Sequence, residues 1–138
     1  MGRFLGMIPE LDTQAPLLQT NLGTGGGWAL PMTCYWLSKS RGHLGPDAPL
    51  VGMNGVRSGK DVLRLMLAGA HAVEISSAVW TNGFSVLAEA VKTVDAYLRD
   101  RGDTATDIIG RAAAQVLPFS TLPQRPGFWE EFAPPGAV

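Results

Sequence analysis

The stretch from Pro49 to Trp80 reads PLVGMNGVRSGKDVLRLMLAGAHAVEISSAVW, two short apolar runs on either side of one helical run. No other feature of the chain restricts its fold as much. LVGM, Leu50 to Met53, has no polar alternation, which is how a strand covered on both faces reads. AVEISSA, Ala72 to Ala78, carries the β-branched Val73 and Ile75 and reads as a second strand. Between them Ser58 is placed to cap a helix, with Asp61 three residues on as a variant of the capping box. Val62, Leu65, Met66 and Gly69 then share one face, and Gly69 ends the run. Two strands separated by a helix pair in parallel through a right-handed crossover.

The flanks extend the alternation. PMTCYWLSKSRGHL, Pro31 to Leu44, predicts a helix: a first-turn proline loses no hydrogen bond there, and Lys39 and Arg41 lie toward the C-terminal end. PDAP, Pro46 to Pro49, is a turn. After TNG, Leu87, Val91, Val94 and Leu98 recur at helical spacing, which predicts an amphipathic packing helix. Thr104 with Asp107 caps one more, with Ile108, Ile109, Ala112 and Val116 as its apolar stripe. Residues 1–31 hold only short apolar pieces broken by Pro9, Pro16 and NLGTGGGW. The reading is an α/β domain over residues 1–116 and a proline-rich tail over 117–138. The tail's Phe128, Trp129 and Phe132 suit either a loose extension or a cover for a partner's surface.

A chain of 138 residues with 46% hydrophobic content has the means to bury one core. Its 11 Lys and Arg stand against 12 Asp and Glu, for a net charge of −1, so the basic face of a nucleic-acid binder is missing. One cysteine and two histidines supply neither a disulfide framework nor a CxxC-type zinc site, which points to a reducing, cytoplasmic setting without a bound metal. No window approaches the ~18 apolar residues of a membrane span, so neither export nor anchoring is expected.

The informative positions are the two strand ends. In parallel α/β folds ligands sit beyond the carboxyl ends of the strands, and in (β/α)₈ barrels the loops after the last two strands commonly hold a phosphate. Met53-Asn54-Gly55 follows the first strand and Ser76-Ser77-Ala78 closes the second. Small residues at both places let an anion approach the backbone, and a phosphate fits such a cup best. By themselves the same residues also suit an ordinary turn and small packing positions. Gly25 to Gly27 fit either a flexible linker or a ligand loop, because consecutive glycines are costly to order.

These residues also carry a resemblance. PLVGMNGVRSGKDVLRLMLAGAHAVEISSAVWTNG is similar to the C-terminal flavin-phosphate segment of the dihydroorotate dehydrogenase family, whose pattern runs P-[IL]-[IV]-G-x-G-G-[IV]-x-[ST]-G-x-D and continues through A-G-A to [ST]-A. ELDTQAPLLQTNLGTGGGWALPMTCYWL resembles the family's stretch in which a Gly-rich loop, a proline and a helix follow a D-[IL]-x-T-like lead, and GDTATDIIGRA its closing helix. The resemblance covers roughly residues 3–115. It implies the C-terminal portion of a (β/α)₈ flavoprotein that uses FMN on a dihydropyrimidine-type ring in pyrimidine biosynthesis. It also implies a phosphate held at Asn54, Gly55, Ser76 and Ser77, with Gly25 and Gly26 near the flavin ring. The family usually has glycine at position 54 and often at 76. Asparagine tolerates the left-handed region best among the other residues, and a serine adds a donor.

A full barrel of this kind runs to about 250 residues, so residue 1 is expected to match a point late in the barrel, after the family's Cys or Ser base and its Lys. No residue here takes their place. Cys34 lies in an apolar helix segment, His43 at a helix end and His71 before a strand, all structural positions. Glu74 is the most interesting acid, since a charge inside a parallel strand points to a barrel interior, a partner or solvent. Unpaired barrel edges imply a homo-oligomer or a separate N-terminal half. Two other readings stay open: a non-catalytic phosphate-binding or assembly module, and a phosphate-binding barrel enzyme without flavin.

Overall fold

The computed structural model describes residues 3–4, 7–9, 11–19, 22–23 and 26–121. Gly25 and the end of the tail, residues 122–138, lie outside the described residues, and with them Phe128, Trp129 and Phe132.

The first surprise is strand pairing in the stretch read as broken apolar pieces. Strand β1 (Arg3–Phe4) pairs antiparallel with β4 (Leu22–Gly23), and β2 (Met7–Pro9) pairs with β3 (Pro16–Gln19). The prolines do not break the inner pair because Pro9 and Pro16 face each other at its last register position, after a register shift, where a missing N–H does no damage. One turn of 3₁₀ helix, Gly27–Ala29, then leads into α1 (Leu30–Leu44). The helix runs through Gly42 and stops at Gly45.

β5 (Val51–Gly52) and β6 (Ala72–Val73) form the expected parallel pair, with Val51 opposite Ala72 and Gly52 opposite Val73. Both strands are shorter than the apolar runs predict. Bonds from His71 N–H to Leu50 O at 2.8 Å and from Glu74 N–H to Gly52 O at 2.9 Å extend the ladder by a residue each way. The crossover is α2 (Gly59–Ala68), closed by Gly69. Ser58 stands at its cap without the reciprocal capping box: the Ser58 hydroxyl donates to Asp61 Oδ2, which also accepts the Arg57 N–H.

Beyond Glu74 the predicted second strand ends early. Ser77–Asn82 is a short helix, α3, so Ser76 and Ser77 lie at a strand-to-helix turn and not on the strand itself. Helix α4 (Ser85–Arg101) follows the expected periodicity. The last predicted helix is cut to α5 (Ala105–Ile108), although its Thr104–Asp107 capping box forms as expected. It stops because Gly110 N–H and Ala112 N–H turn away to the Met66 and Leu67 carbonyls at the end of α2. Val116, assigned to its stripe, is left exposed.

Packing follows the alternation along the strands. Gly52, Val73 and Ile75 face the helices, where Leu30 and Leu37 of α1 meet Val56 and the fully buried Leu65 of α2. Val51, Ala72 and Glu74 are exposed on the opposite face. A second cluster joins Leu63 and Met66 to Ile108, with Val94, Tyr97 and Leu98 packed against it. Only half of the α4 stripe is therefore used, since Leu87 and Val91 remain exposed. Among the described residues no helix is long and apolar enough to cross a membrane.

Candidate functional site

The chain leaves β5 through two residues with left-handed backbone, Asn54 at φ 79° and Gly55 at φ 90°. The turn is fixed from both sides. Thr33 of α1 donates its hydroxyl to Asn54 O at 3.2 Å, and Val56 drops into the core immediately after Gly55. Arg57 N–H is then held by Asp61 Oδ2 at 3.0 Å. A Cβ on Gly55 would lie 2.5 Å from the Leu30 nitrogen and 2.8 Å from its Cα. The glycine at position 55 is therefore demanded by the close approach of α1.

The chain leaves β6 at Glu74 and turns at Ser76, whose carbonyl accepts the Val79 and Trp80 N–H groups that start α3. The parallel register sets this turn beside the first. Gly26, Asn54, Gly55, Arg57, Glu74, Ser76 and Ser77 surround one recess of about 50 Å³, with Val56 behind them. Five of the six residues singled out from the sequence thus meet at one place, and the sixth, Gly25, lies outside the described residues. A single water needs about 10–15 Å³ of such space, so a compact anion fits.

Two charged residues belong to the recess that the strand-end reasoning did not place there. Arg57 gives no signal in the sequence, because spacing says nothing of where a turn sends a long side chain. The structure puts its guanidinium across Gly27, where an added Cβ would come within 2.6 Å of Nε and 2.7 Å of Nη2. Glu74 brings the opposite charge, standing on the exposed face of β6. Asp61 supports the site from below: it is buried, and although desolvation works to raise its pKa, hydrogen bonds from Arg57 N–H, Arg64 and Ser58 hold it below the ordinary carboxylate value.

The other candidates fall elsewhere. Cys34 packs half-buried against the first core cluster, and burial pushes its thiol pKa up, as suits an inert position. His71 Nδ1 accepts from Leu50 N–H at 3.4 Å in the sheet. Among the described residues no group of acidic, cysteine and histidine side chains is arranged to hold a metal ion. Two larger apolar clefts, of about 420 and 460 Å³, flank β5 and β6. Their lining is mainly apolar, with Thr33, Ser40 and Asn54 in the first and His71 and Asp95 in the second, whereas polar groups predominate in the small recess, which gathers two serines, a guanidinium and the left-handed Asn54–Gly55 turn.

Comparison with known proteins identifies the family and the fold. The family model described as dihydroorotate dehydrogenase matches residues 4–98. The catalytic subunit of dihydroorotate dehydrogenase B (NAD(+)) from Methanocaldococcus jannaschii is 33% identical over 110 residues, covering 78% of this chain and 35% of that protein. Dihydroorotate dehydrogenase A (fumarate) from Lactobacillus helveticus is 35% identical over 79 residues, covering 56% of this chain and 25% of the relative. The chain thus spans about a third or less of these relatives' length. The crystal structure of DHODH from Eimeria tenella in complex with ferulenol superposes with a TM-score of 0.64 at 17% identity, over 80% of this chain and 29% of that one. The fold is accordingly that of part of an α/β barrel, with parallel strands and a crossover helix.

Proposed function

The chain belongs to the dihydroorotate dehydrogenase family, and from that premise we propose that its recess grips the phosphate of FMN for an oxidoreductase acting on a dihydropyrimidine-type ring. The observation that supports the reading is the convergence of the Asn54–Gly55 and Ser76–Ser77 turns on one concavity sized for a small anion. The residues present fit that group. Serine hydroxyls donate to phosphate oxygens, left-handed turns turn backbone N–H groups toward an anion, and a guanidinium matches a phosphate in shape and charge. Glu74 is the one member that opposes an anion.

When bound, FMN supplies the redox chemistry. The contribution of this chain is to fix the phosphate end, and through it the position of the ring. The base that takes the substrate proton is assigned to none of the described residues, so the grip is separable from turnover. The reaction in pyrimidine biosynthesis belongs to the whole enzyme.

The test is direct. Purified protein mixed with FMN and passed over a desalting column is expected to stay yellow, with its flavin fluorescence changed from that of free FMN. Retention of inorganic phosphate without flavin would favour a flavin-free phosphate-binding barrel. Retention of neither would overturn the reading and leave a module that binds by another surface.

A further inference from the structure

The Asp61 carboxylate is fully engaged: Oδ2 accepts from Arg57 N–H and Ser58 Oγ, and Oδ1 accepts from Arg64 Nη1 at 2.7 Å. The nearest acid in sequence is therefore committed to the backbone of Arg57 and to a different arginine. The Arg57 guanidinium forms no ion pair with any described carboxylate, and Glu74 across the recess stays beyond ion-pair distance. It is nonetheless not directed at random. It crosses Gly27 where any side chain would displace it, and Gly27 itself lies outside the left-handed backbone region. The absence of a Cβ at that position thus serves the arginine, not the backbone. One residue of the triple-glycine run acquires a specific role: it makes room for a cation at the mouth of a recess that otherwise contains only neutral donors and an acid.

We propose that Arg57, seated over Gly27, is the charged clamp of the recess and makes it select phosphorylated over unphosphorylated flavin. This rests on the flavin-phosphate reading of the site and adds to it the residue that sets specificity. A phosphate monoester carries a charge of about −1.5 to −2 at neutral pH, whereas riboflavin offers only a neutral hydroxyl at the same end. Neutral donors hold either end group. A guanidinium fork gains strongly only from the phosphate, through paired charge-assisted hydrogen bonds.

The experiment measures FMN and riboflavin affinity by fluorescence titration on the full chain and on Arg57→Gln, Arg57→Lys and Gly27→Ala. The unaltered chain is expected to prefer FMN, with an affinity that weakens as salt is raised. Arg57→Gln is expected to lose about ten- to a hundredfold in FMN affinity with riboflavin affinity unchanged. Arg57→Lys recovers part of the loss, because the charge returns without the fork. Gly27→Ala keeps the charge but pushes aside only the end of a flexible side chain, so its backbone stays and its FMN preference is expected to fall as well. It also decides the matter should Arg57→Gln fail to fold. An unchanged FMN-to-riboflavin ratio in folded Arg57→Gln or Gly27→Ala overturns the clamp and leaves the phosphate site standing. An unaltered chain that binds FMN and riboflavin equally, or neither, overturns the site reading and the clamp with it.

Discussion

Asn54 and Gly55 share one left-handed turn yet answer to different demands. Asn54 adopts φ 79° at a position where its family commonly has glycine, because an asparagine side chain tolerates that region best among non-glycine residues. Gly55 has no such latitude, since both its φ and the Leu30 backbone exclude a Cβ. Gly55→Val is therefore expected to cost well over ~1 kcal/mol of stability, read as a lowered urea midpoint, and any loss of flavin follows from unfolding. Ser76→Ala and Ser77→Ala separate the two effects: both side chains are exposed, so stability should change by less than about 0.5 kcal/mol while FMN affinity falls several-fold. Glu74→Gln should tighten FMN binding by about two- to fivefold, because an exposed like charge is removed. Asp61 gives a pH signature. Its folded pKa lies below its unfolded value, so its stabilisation is complete above the unfolded value of about 3.9 and is lost as pH falls through the lower folded one. Asp61→Asn should cost about 1–3 kcal/mol at neutral pH and flatten the acid limb of a stability-against-pH curve.

At the level of elements, the sequence showed helices better than strands. The stripes of α2 and α4 are long enough for periodicity to speak, and Gly45 and Gly69 end α1 and α2 at their caps. The strands β5 and β6 are two residues each, too short for a period of two to register, so the apolar runs overstated them. The end of β6 was misread for a physical reason: Ile75 and Ala78 are apolar whether the chain continues as strand or turns into α3, and only the loss of a pairing partner decides between them. The α5 stripe was overextended because the carbonyls that capture Gly110 and Ala112 lie on α2, more than forty positions upstream. The β1–β4 and β2–β3 pairs escaped notice because proline is counted as a breaker wherever register is unknown. Packing also divides the α4 stripe in a way that periodicity cannot foresee. Leu65→Ala in α2, fully buried, should cost about 2–5 kcal/mol in chemical denaturation, whereas Val91→Ser, 68% exposed on α4, should change stability by less than about 0.5 kcal/mol.

For the molecule as a whole, the site is a by-product of topology. A parallel pair with a helical crossover brings two strand ends to the same edge, and whatever chemistry the turns carry meets there without further design. That is why the positions of Asn54, Gly55, Ser76 and Ser77 could be inferred from their order in the chain. Arg57 and Glu74 carry no such signal, because only the folded arrangement decides which side chains enter the space between the turns. The alternation that buries Gly52 and Val73 against the helices leaves Val51 and Glu74 on the face that a complete barrel encloses. The parallel ladder itself has a kinetic corollary. Leu50 and His71 exchange hydrogen bonds across only 21 residues of chain, ten of the intervening residues wound into α2, so little entropy is lost in closing that loop. This unit should form early, and conservative mutations at Leu65 should slow refolding nearly as much as they lower stability, while those in α5 chiefly quicken unfolding.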